Sequence, residues 1–177
     1  EAQRQMLHEL TLTREEVLQV HDHCANRGIA FTATPFDLGN LAFLDQELAP
    51  PFLKIGSGDL TNGPLLHAAA CTNRPVVLST GMGTLSEISQ ALGILAHGYL
   101  MQKDPEPRFA FETLLERPEA MAALKEKVTL LQCNTAYPTP IEDINLAVIK
   151  SLRDAYGLPV GFSDHTLGCD AAIGAVT

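Results

Sequence analysis

The chain has 177 residues, of which 46% are hydrophobic and 19% charged, and its formal net charge is −9. This length supports one domain with a sizeable core, and the composition is typical of a globular protein rather than a disordered one. An acidic chain without clusters of lysine or arginine is a poor candidate for binding nucleic acid, and no apolar run approaches the roughly 20 residues that span a bilayer.

Five short apolar runs, bounded by glycine or proline, recur along the chain and predict strands that are buried on both faces. They occupy residues 28–34, 52–56, 75–80, 128–134 and 159–163. Amphipathic stretches between them predict helices, and two of these helices open with a Thr-x-x-Glu capping box, at residues 13–16 and 84–87. The helix that begins at residue 84 is expected to end near Ala96. Further helices are predicted at residues 37–48, 64–71 and 143–156.

The alternation of strand and helix predicts a parallel sheet with right-handed crossovers. The spacing between most strands slightly favours a (β/α)8 barrel, whose eight units take about 250 residues, over an open doubly wound sheet. Five strands correspond to roughly units three to seven of eight, so residues 1–177 are expected to form an incomplete barrel domain. The longer gap at residues 98–127 contains Pro105, Pro107 and Pro118 and predicts an insertion on the surface.

The cysteines form no C-x-x-C pair, and each lies in or beside a predicted helix or strand. This pattern favours ordinary core thiols in a reducing compartment, for which the cytoplasm is the default. The four residues are Cys24, Cys71, Cys133 and Cys169.

Polar residues are concentrated where the predicted strands end, which is where active sites form in parallel α/β folds. Lys54 lies inside a predicted buried strand, so its ammonium must pair with an anion, reach solvent or lose its charge. An anion clamp and a Schiff base with a carbonyl substrate are the two functional interpretations. Ser57, between Gly56 and Gly58, favours the clamp because glycine lets backbone N–H groups approach a phosphate.

The later strand ends add a further anion-binding signal and a candidate metal ligand. Ser79 precedes a glycine-rich turn and a capped helix, whose first N–H groups attract anions, although an ordinary turn has the same pattern. His165 follows Ser163 and Asp164 and suggests a metal ligand or an acid–base group. A Ser/His/Asp hydrolase is disfavoured, because successive strand residues point to opposite faces and no G-x-S-x-G motif is present. Packing or surface roles are expected for the other histidines, which are His8, His21, His23, His67 and His97.

Five sequence blocks occur in an order and spacing that resemble the sialic acid synthase family. They are TPFD at residues 34–37, KIGSGDLTN at 54–62, LSTGM at 78–82, CNTAYPTPIEDINL at 133–146 and GFSDHTLG at 161–168. The resemblance implies a (β/α)8 barrel and a transferase that forms a carbon–carbon bond between phosphoenolpyruvate and an N-acetylated hexose. N-acetylmannosamine and a diacetamido-trideoxy sugar are both possible acceptors.

The resemblance also implies roles for individual residues. Lys54 and Ser57 would hold the phosphate and carboxylate of phosphoenolpyruvate. The other implied substrate contacts are Thr34, Phe36, Ser79, Asn134, Thr135, Tyr137 and Ser163. Asn134 and Thr135 are alternatives, because alignment on the tyrosine puts Thr135 where some members have an asparagine. His165 would bind a divalent metal, with Mn2+ expected and Mg2+ or Co2+ possible. Lys54, Tyr137 and His165 are the implied catalytic residues.

Parts of the family pattern are absent from the chain. The resemblance implies earlier strands that contact the sugar, a second metal-binding histidine, and a C-terminal antifreeze-like domain that completes a homodimer. We therefore expect the chain to be inactive by itself. Two alternatives stay open, namely a Schiff-base aldolase that uses Lys54 and a non-catalytic module that binds sugar phosphates.

Overall fold

The computed structural model describes residues 10–106 and 109–176, so the expectations for His8 and Pro107 lie outside the described residues. The helices are α1 (Arg14–Asn26), α2 (Leu38–Phe43), α3 (Gly63–Cys71), α4 (Leu85–Met101), α5 (Pro118–Lys127), α6 (Ala147–Tyr156) and α7 (Asp170–Val176). The strands are β1 (Leu53–Ile55), β2 (Val76–Ser79), β3 (Val128–Cys133) and β4 (Val160–Ser163). A π-helical turn (Leu44–Leu48) follows α2, and 3-10 turns cover Ser57–Asp59, Phe111–Glu116 and Ile141–Asp143. No helix in the described ranges has both the length and the hydropathy that a membrane crossing requires.

The four strands form one parallel sheet in the order β1-β2-β3-β4, which confirms the predicted α/β class. Both predicted capping boxes are present. The Thr13 hydroxyl accepts from the Glu16 N–H, and the Glu16 carboxylate accepts from the Thr13 N–H. Thr84 and Glu87 make the same reciprocal pair at the start of α4. These bonds satisfy N–H groups that the first helical turn leaves free, so each helix begins at a defined residue.

The prediction of a strand at residues 28–34 is wrong. No strand is assigned to these residues, although Thr32 Oγ1 donates to the Phe52 carbonyl just before β1, at 2.8 Å. The alternate side chains of Phe31 and Ala33 pack instead on a small cluster that contains Phe43. The apolar pattern therefore reports burial of one side of an extended segment. It carries no information on whether the backbone pairs with a neighbouring strand.

One face of the sheet is buried beneath the helices. Leu53, Ile55, Leu78 and Leu130 are completely buried there, in a cluster that also includes residues of α3, α4 and α5. Burial of each such side chain contributes about 1.5–3 kcal/mol. Because side chains alternate along a strand, the intervening residues, such as Lys54, lie on the opposite face.

The segment at residues 98–127 is not the surface excursion that its prolines predict. Helix α4 continues through Gly98 to Met101, rather than ending near Ala96. Leu114, Ala120 and Leu124 are fully buried, so the 3-10 turn and α5 complete the core beside α4. The prolines mark turns, while the apolar side chains between them pack inward. Whether the segment is an insertion relative to other barrels stays a prediction.

The expectation of four core thiols is correct only for Cys133. All four cysteines are free, but Cys24 and Cys71 are half-buried and Cys169 is exposed. The difference arises because α1 buries no residue completely and the turn that holds Cys169 lies on the surface.

Candidate functional site

The register of the sheet places the polar residues of three strands on its open face. Lys54 of β1 pairs with Val77 of β2, and Ser79, two residues later, therefore projects on the same side. Cys133 of β3 is paired with Ser163 of β4, and the pairing of Ser79 with Leu131 puts both on that side as well. A lysine and two serines that are distant in sequence thus share one surface.

Lys54 and Ser79 are in direct contact. The Lys54 ammonium donates to Ser79 Oγ at 2.7 Å and to the Ile55 carbonyl at 3.0 Å. Burial lowers the pKa of Lys54, and the nearby Cys133 thiol acts in the opposite direction. Within the described part of the chain, no carboxylate forms an ion pair with this ammonium. A half-buried cation with neutral partners is suited to receive an anionic ligand.

Three predicted substrate contacts lie near the strand ends without touching this pair. Ser57 is half-buried in the 3-10 turn that follows β1, where its carbonyl accepts from the Leu60 N–H. Thr34 is half-buried, and Phe36 is 72% exposed. Across residues 10–106 and 109–176, no hydrogen bond joins any of the three to Lys54. None of the three therefore takes part in the Lys54–Ser79 contact.

His165 has one ring nitrogen committed to the backbone. Its Nδ1 lies 2.8 Å from the Asn134 carbonyl, which only accepts, so in the neutral ring Nδ1 carries the proton and Nε2 keeps its lone pair. Ser163 Oγ lies 3.4 Å from Nε2. The Asp164 carboxylate accepts from the Thr166 N–H instead of contacting the imidazole. No hydrolase triad is formed, in agreement with the sequence argument.

Tyr137 lies beside His165. Their ring centroids are 4.4 Å apart and the planes are inclined by 53°. The tyrosine is 70% exposed, so most of its ring is free to meet a ligand above the strand ends. Tyr137, His165 and Ser163 are brought together, whereas no hydrogen bond between described residues connects them with Lys54.

Asn134 and Thr135 occupy different environments. The Asn134 side-chain Nδ2 donates to the Asp143 carbonyl at 2.8 Å, and its Oδ1 is buried without a hydrogen-bond partner among the described residues. The Thr135 methyl lies beside Gly81, where an added Cβ would be only 3.2 Å from it. Both residues line a cavity of about 380 Å3 next to the strand ends. No basic side chain lines that cavity, so it does not suit a phosphate.

A divalent metal fits these residues only in part. His165 Nε2 is a suitable donor, because ligating histidines usually donate their other ring N–H to a backbone carbonyl or a carboxylate. However, the described ranges contain no group of three His, Cys, Asp or Glu residues that is placed to share a metal ion. These residues supply one oriented ligand and do not complete a metal centre.

The order of these strand-end motifs matches a known family over the whole chain. The family model that matches residues 1–177 describes the NeuB family. The chain belongs to the NeuB family.

Curated NeuB relatives include synthases of two nonulosonic acids. The N,N'-diacetyllegionaminic acid synthase of Campylobacter jejuni is 36% identical over 176 residues, which cover 99% of this chain and 46% of that protein. The N-acetylneuraminate-9-phosphate synthase of Drosophila melanogaster is 34% identical, over 90% of this chain and 36% of that protein. This chain thus spans about half the length of its relatives or less.

A solved NeuB relative has the same fold. The N-acetylneuraminic acid (sialic acid) synthetase of Leptospira borgpetersenii, crystallised with citrate, superposes with a TM-score of 0.74 at 32% identity. The superposition covers 93% of this chain and 48% of that protein. The four-stranded sheet therefore corresponds to part of a sialic acid synthase barrel.

Thr139 is a residue of this NeuB site that the sequence analysis did not identify. It is 5% exposed, its N–H donates to the His165 carbonyl at 2.8 Å, and its Oγ1 donates to the Ala136 carbonyl at 2.8 Å. The sequence did hold a signal for this role. Pro138 and Pro140 have no backbone N–H, so Thr139 is the one residue of this tripeptide that can donate a backbone hydrogen bond.

Proposed function

We propose that the protein condenses phosphoenolpyruvate with an N-acetylated hexose to give a nonulosonic acid and inorganic phosphate. The acceptor is N-acetylmannosamine or a diacetamido-trideoxy analogue, because relatives are named as synthases of N-acetylneuraminic acid and of N,N'-diacetyllegionaminic acid. We further propose that the active protein is a cytoplasmic homodimer that includes more barrel strands and an antifreeze-like domain. The 177 residues by themselves are then inactive.

The observation that carries this proposal is the contact between Lys54 and Ser79. It puts a cation that has no anionic partner among the described residues, together with a hydroxyl donor, on the face that also holds Ser163. Phosphoenolpyruvate carries a phosphate and a carboxylate, and charge-assisted hydrogen bonds are the strongest way to bind both. In this proposal the hydroxyl groups of Thr34 and Ser57 supply further donors, and Phe36 supplies an apolar surface.

The chemistry assigned to the chain's residues is binding and orientation. Lys54 holds the phosphate, so that the enol C3 of phosphoenolpyruvate faces the aldehyde carbon of the open-chain sugar. A carbon–carbon bond forms between these two atoms, water adds to C2, and the C2–O bond to phosphate breaks. The protonated Lys54 stabilises the charge on the departing phosphate. Tyr137 packs beside the sugar, and Asn134 or Thr135 contacts the substrates at the end of β3.

A divalent cation, with Mn2+ expected and Mg2+ or Co2+ as substitutes, would act as a Lewis acid toward the aldehyde oxygen when bound. His165 would supply one ligand through Nε2. The other ligands would come from outside the described residues, because these contain no complete donor group.

The test is product formation by the full-length protein with phosphoenolpyruvate, N-acetylmannosamine and Mn2+, with and without EDTA. Phosphate release together with a 2-keto acid, abolished by EDTA and restored by Mn2+, is the expected result. Turnover only with a diacetamido sugar keeps the reaction and fixes the acceptor. No turnover with any such sugar, in a protein that folds and binds Mn2+, contradicts the synthase assignment and favours a binding module.

The lowered pKa of Lys54 favours a second candidate, a Schiff-base aldolase, because a neutral amine is the nucleophile in that chemistry. The geometry favours the synthase, since the ammonium donates to two acceptors at once. Borohydride treatment with pyruvate separates the two: the aldolase forms a covalent adduct on Lys54 and is insensitive to EDTA, whereas the synthase forms no adduct.

A further inference from the structure

Three contacts from a single loop surround His165. The loop covers residues 134–143 and follows β3. The Asn134 carbonyl accepts from Nδ1 of the ring, Tyr137 packs against the ring face, and the Thr139 N–H donates to the His165 carbonyl. The imidazole, its orientation and its backbone are therefore all held by the 134–143 loop.

The 134–143 loop is in turn held closed by two of its own side chains. Asn134 Nδ2 donates to the Asp143 carbonyl and joins the two ends of the loop. Thr139 Oγ1 donates to the Ala136 carbonyl and fixes the turn between them. Thr139 is buried, so its hydroxyl would otherwise be an unsatisfied polar group, which makes this bond costly to lose.

These contacts give Asn134 a role at His165 in addition to the substrate contact expected of it. Its side-chain amide donates one hydrogen bond to the Asp143 carbonyl. Its backbone carbonyl is the partner that decides which nitrogen of His165 carries the proton. Asn134 thus also acts on the site through His165.

We propose that Asn134 and Thr139 are positioning residues that hold His165 as the Nδ1–H tautomer, with the Nε2 lone pair on the side of Ser163 Oγ. Their importance for turnover rests on the proposed synthase function, in which Nε2 is a ligand. The tautomer itself does not depend on that function, so an experiment can contradict the tautomer proposal without contradicting the synthase proposal, and the reverse.

The experiment is long-range 1H–15N correlation spectroscopy of the full-length protein labelled with 15N-histidine, at a pH where His165 is neutral. The signals are assigned by comparison with His165→Gln. We expect one tautomer, with a pyrrole-like Nδ1 and a pyridine-like Nε2. Thr139→Val keeps the shape but removes the hydroxyl, so the two nitrogens should shift toward averaged values. Thr139→Ser, which keeps the hydroxyl, should retain the parent spectrum.

Kinetics give an independent readout. Thr139→Val should lower kcat by roughly 10- to 100-fold, the usual effect of losing a group that orients a ligating histidine. The KM for phosphoenolpyruvate should not change, because Lys54 and Ser79, which are proposed to bind it, lie on β1 and β2 and not in the 134–143 loop. An Nε2–H tautomer in the parent protein overturns the proposal. An unchanged tautomer in both Thr139→Val and Asn134→Ala also overturns it. If Thr139→Val does not fold, the parent tautomer and Asn134→Ala decide the question.

Discussion

Replacing Lys54 by methionine tests whether this lysine serves binding or the fold. Methionine has a similar length and keeps the apolar stem packed, but it removes the ammonium that donates to Ser79 and Ile55. If Lys54 holds the phosphate of phosphoenolpyruvate, the variant loses a charge-assisted bond to the ligand. Such a bond contributes about 1.5–3 kcal/mol, which corresponds to a roughly 10- to 150-fold weaker affinity.

The free energy of unfolding should change much less. Loss of the two intramolecular bonds costs about 3 kcal/mol at the lower end of the range for a charged donor. Removing the ammonium also removes the cost of its desolvation. That cost is several kcal/mol for a fully buried charge and smaller for the partly buried Lys54. The two contributions nearly cancel, so we expect a net change within about 1 kcal/mol.

The assays are titration calorimetry with phosphoenolpyruvate and urea unfolding, both on the full-length protein. Lys125→Met is the matched control, because Lys125 is an exposed residue of α5 and its loss changes the net charge equally. The control should bind phosphoenolpyruvate like the parent. Parent-like affinity in Lys54→Met, combined with a large loss of stability, would refute the binding role and leave a structural lysine.

Two further predictions concern the packing of α3 against α4. Gly98→Ala should lower the free energy of unfolding by about 1–2 kcal/mol, since the new Cβ would lie 2.6 Å from the Ala70 Cβ and overpacking outweighs the gain in helix propensity. Gly63→Ala, where the nearest atom is 3.4 Å away, is the control for urea unfolding and should be neutral; equal midpoints would contradict the packing argument. Burial, with a smaller effect from His67, lowers the pKa of His97 below 6.5. Because the unfolded chain then binds more protons than the folded one, the free energy of unfolding should fall as the pH drops from 6.5 through the folded-state pKa. His97→Gln should reduce the dependence of the urea midpoint on pH between about pH 5 and pH 8. An unchanged dependence would mean that other titratable groups cause it.

The site residues on the strands were predictable from the sequence. A lysine within an apolar run, and serines at the ends of other runs, come to the same edge when the strands pair in parallel, and the observed register puts them on one face. The sheet brings Lys54 and Ser79 into contact because of this register. The distance between them depends on pairing that no local pattern specifies, so the sequence predicted the shared edge but not the bond.

Helix α4 shows where local patterns fail. Gly93 and Gly98 are unfavourable in a helix interior by about 1 kcal/mol each, and the predicted helix end near Ala96 left Gly98 outside the helix. In the structure, a Cβ at Gly93 would lie 2.4 Å from the Phe111 carbonyl oxygen, and one at Gly98 would collide with α3. Close tertiary packing requires both glycines, and this requirement outweighs their low propensity. A single sequence holds no signal for such contacts.

The Lys54–Ser79 pair and His165 are held in place by different parts of the structure. Lys54 and Ser79 stand on strands whose neighbouring residues, Ile55 and Leu78, are completely buried, so the sheet and the core fix their 2.7 Å contact. His165 lies beyond the end of β4, and its orientation depends on a loop that Asn134 closes. Mutations in the loop should consequently alter the imidazole without altering the anion-binding pair. Mutations beneath the sheet should disturb both, because they shift the strand ends from which the loop begins.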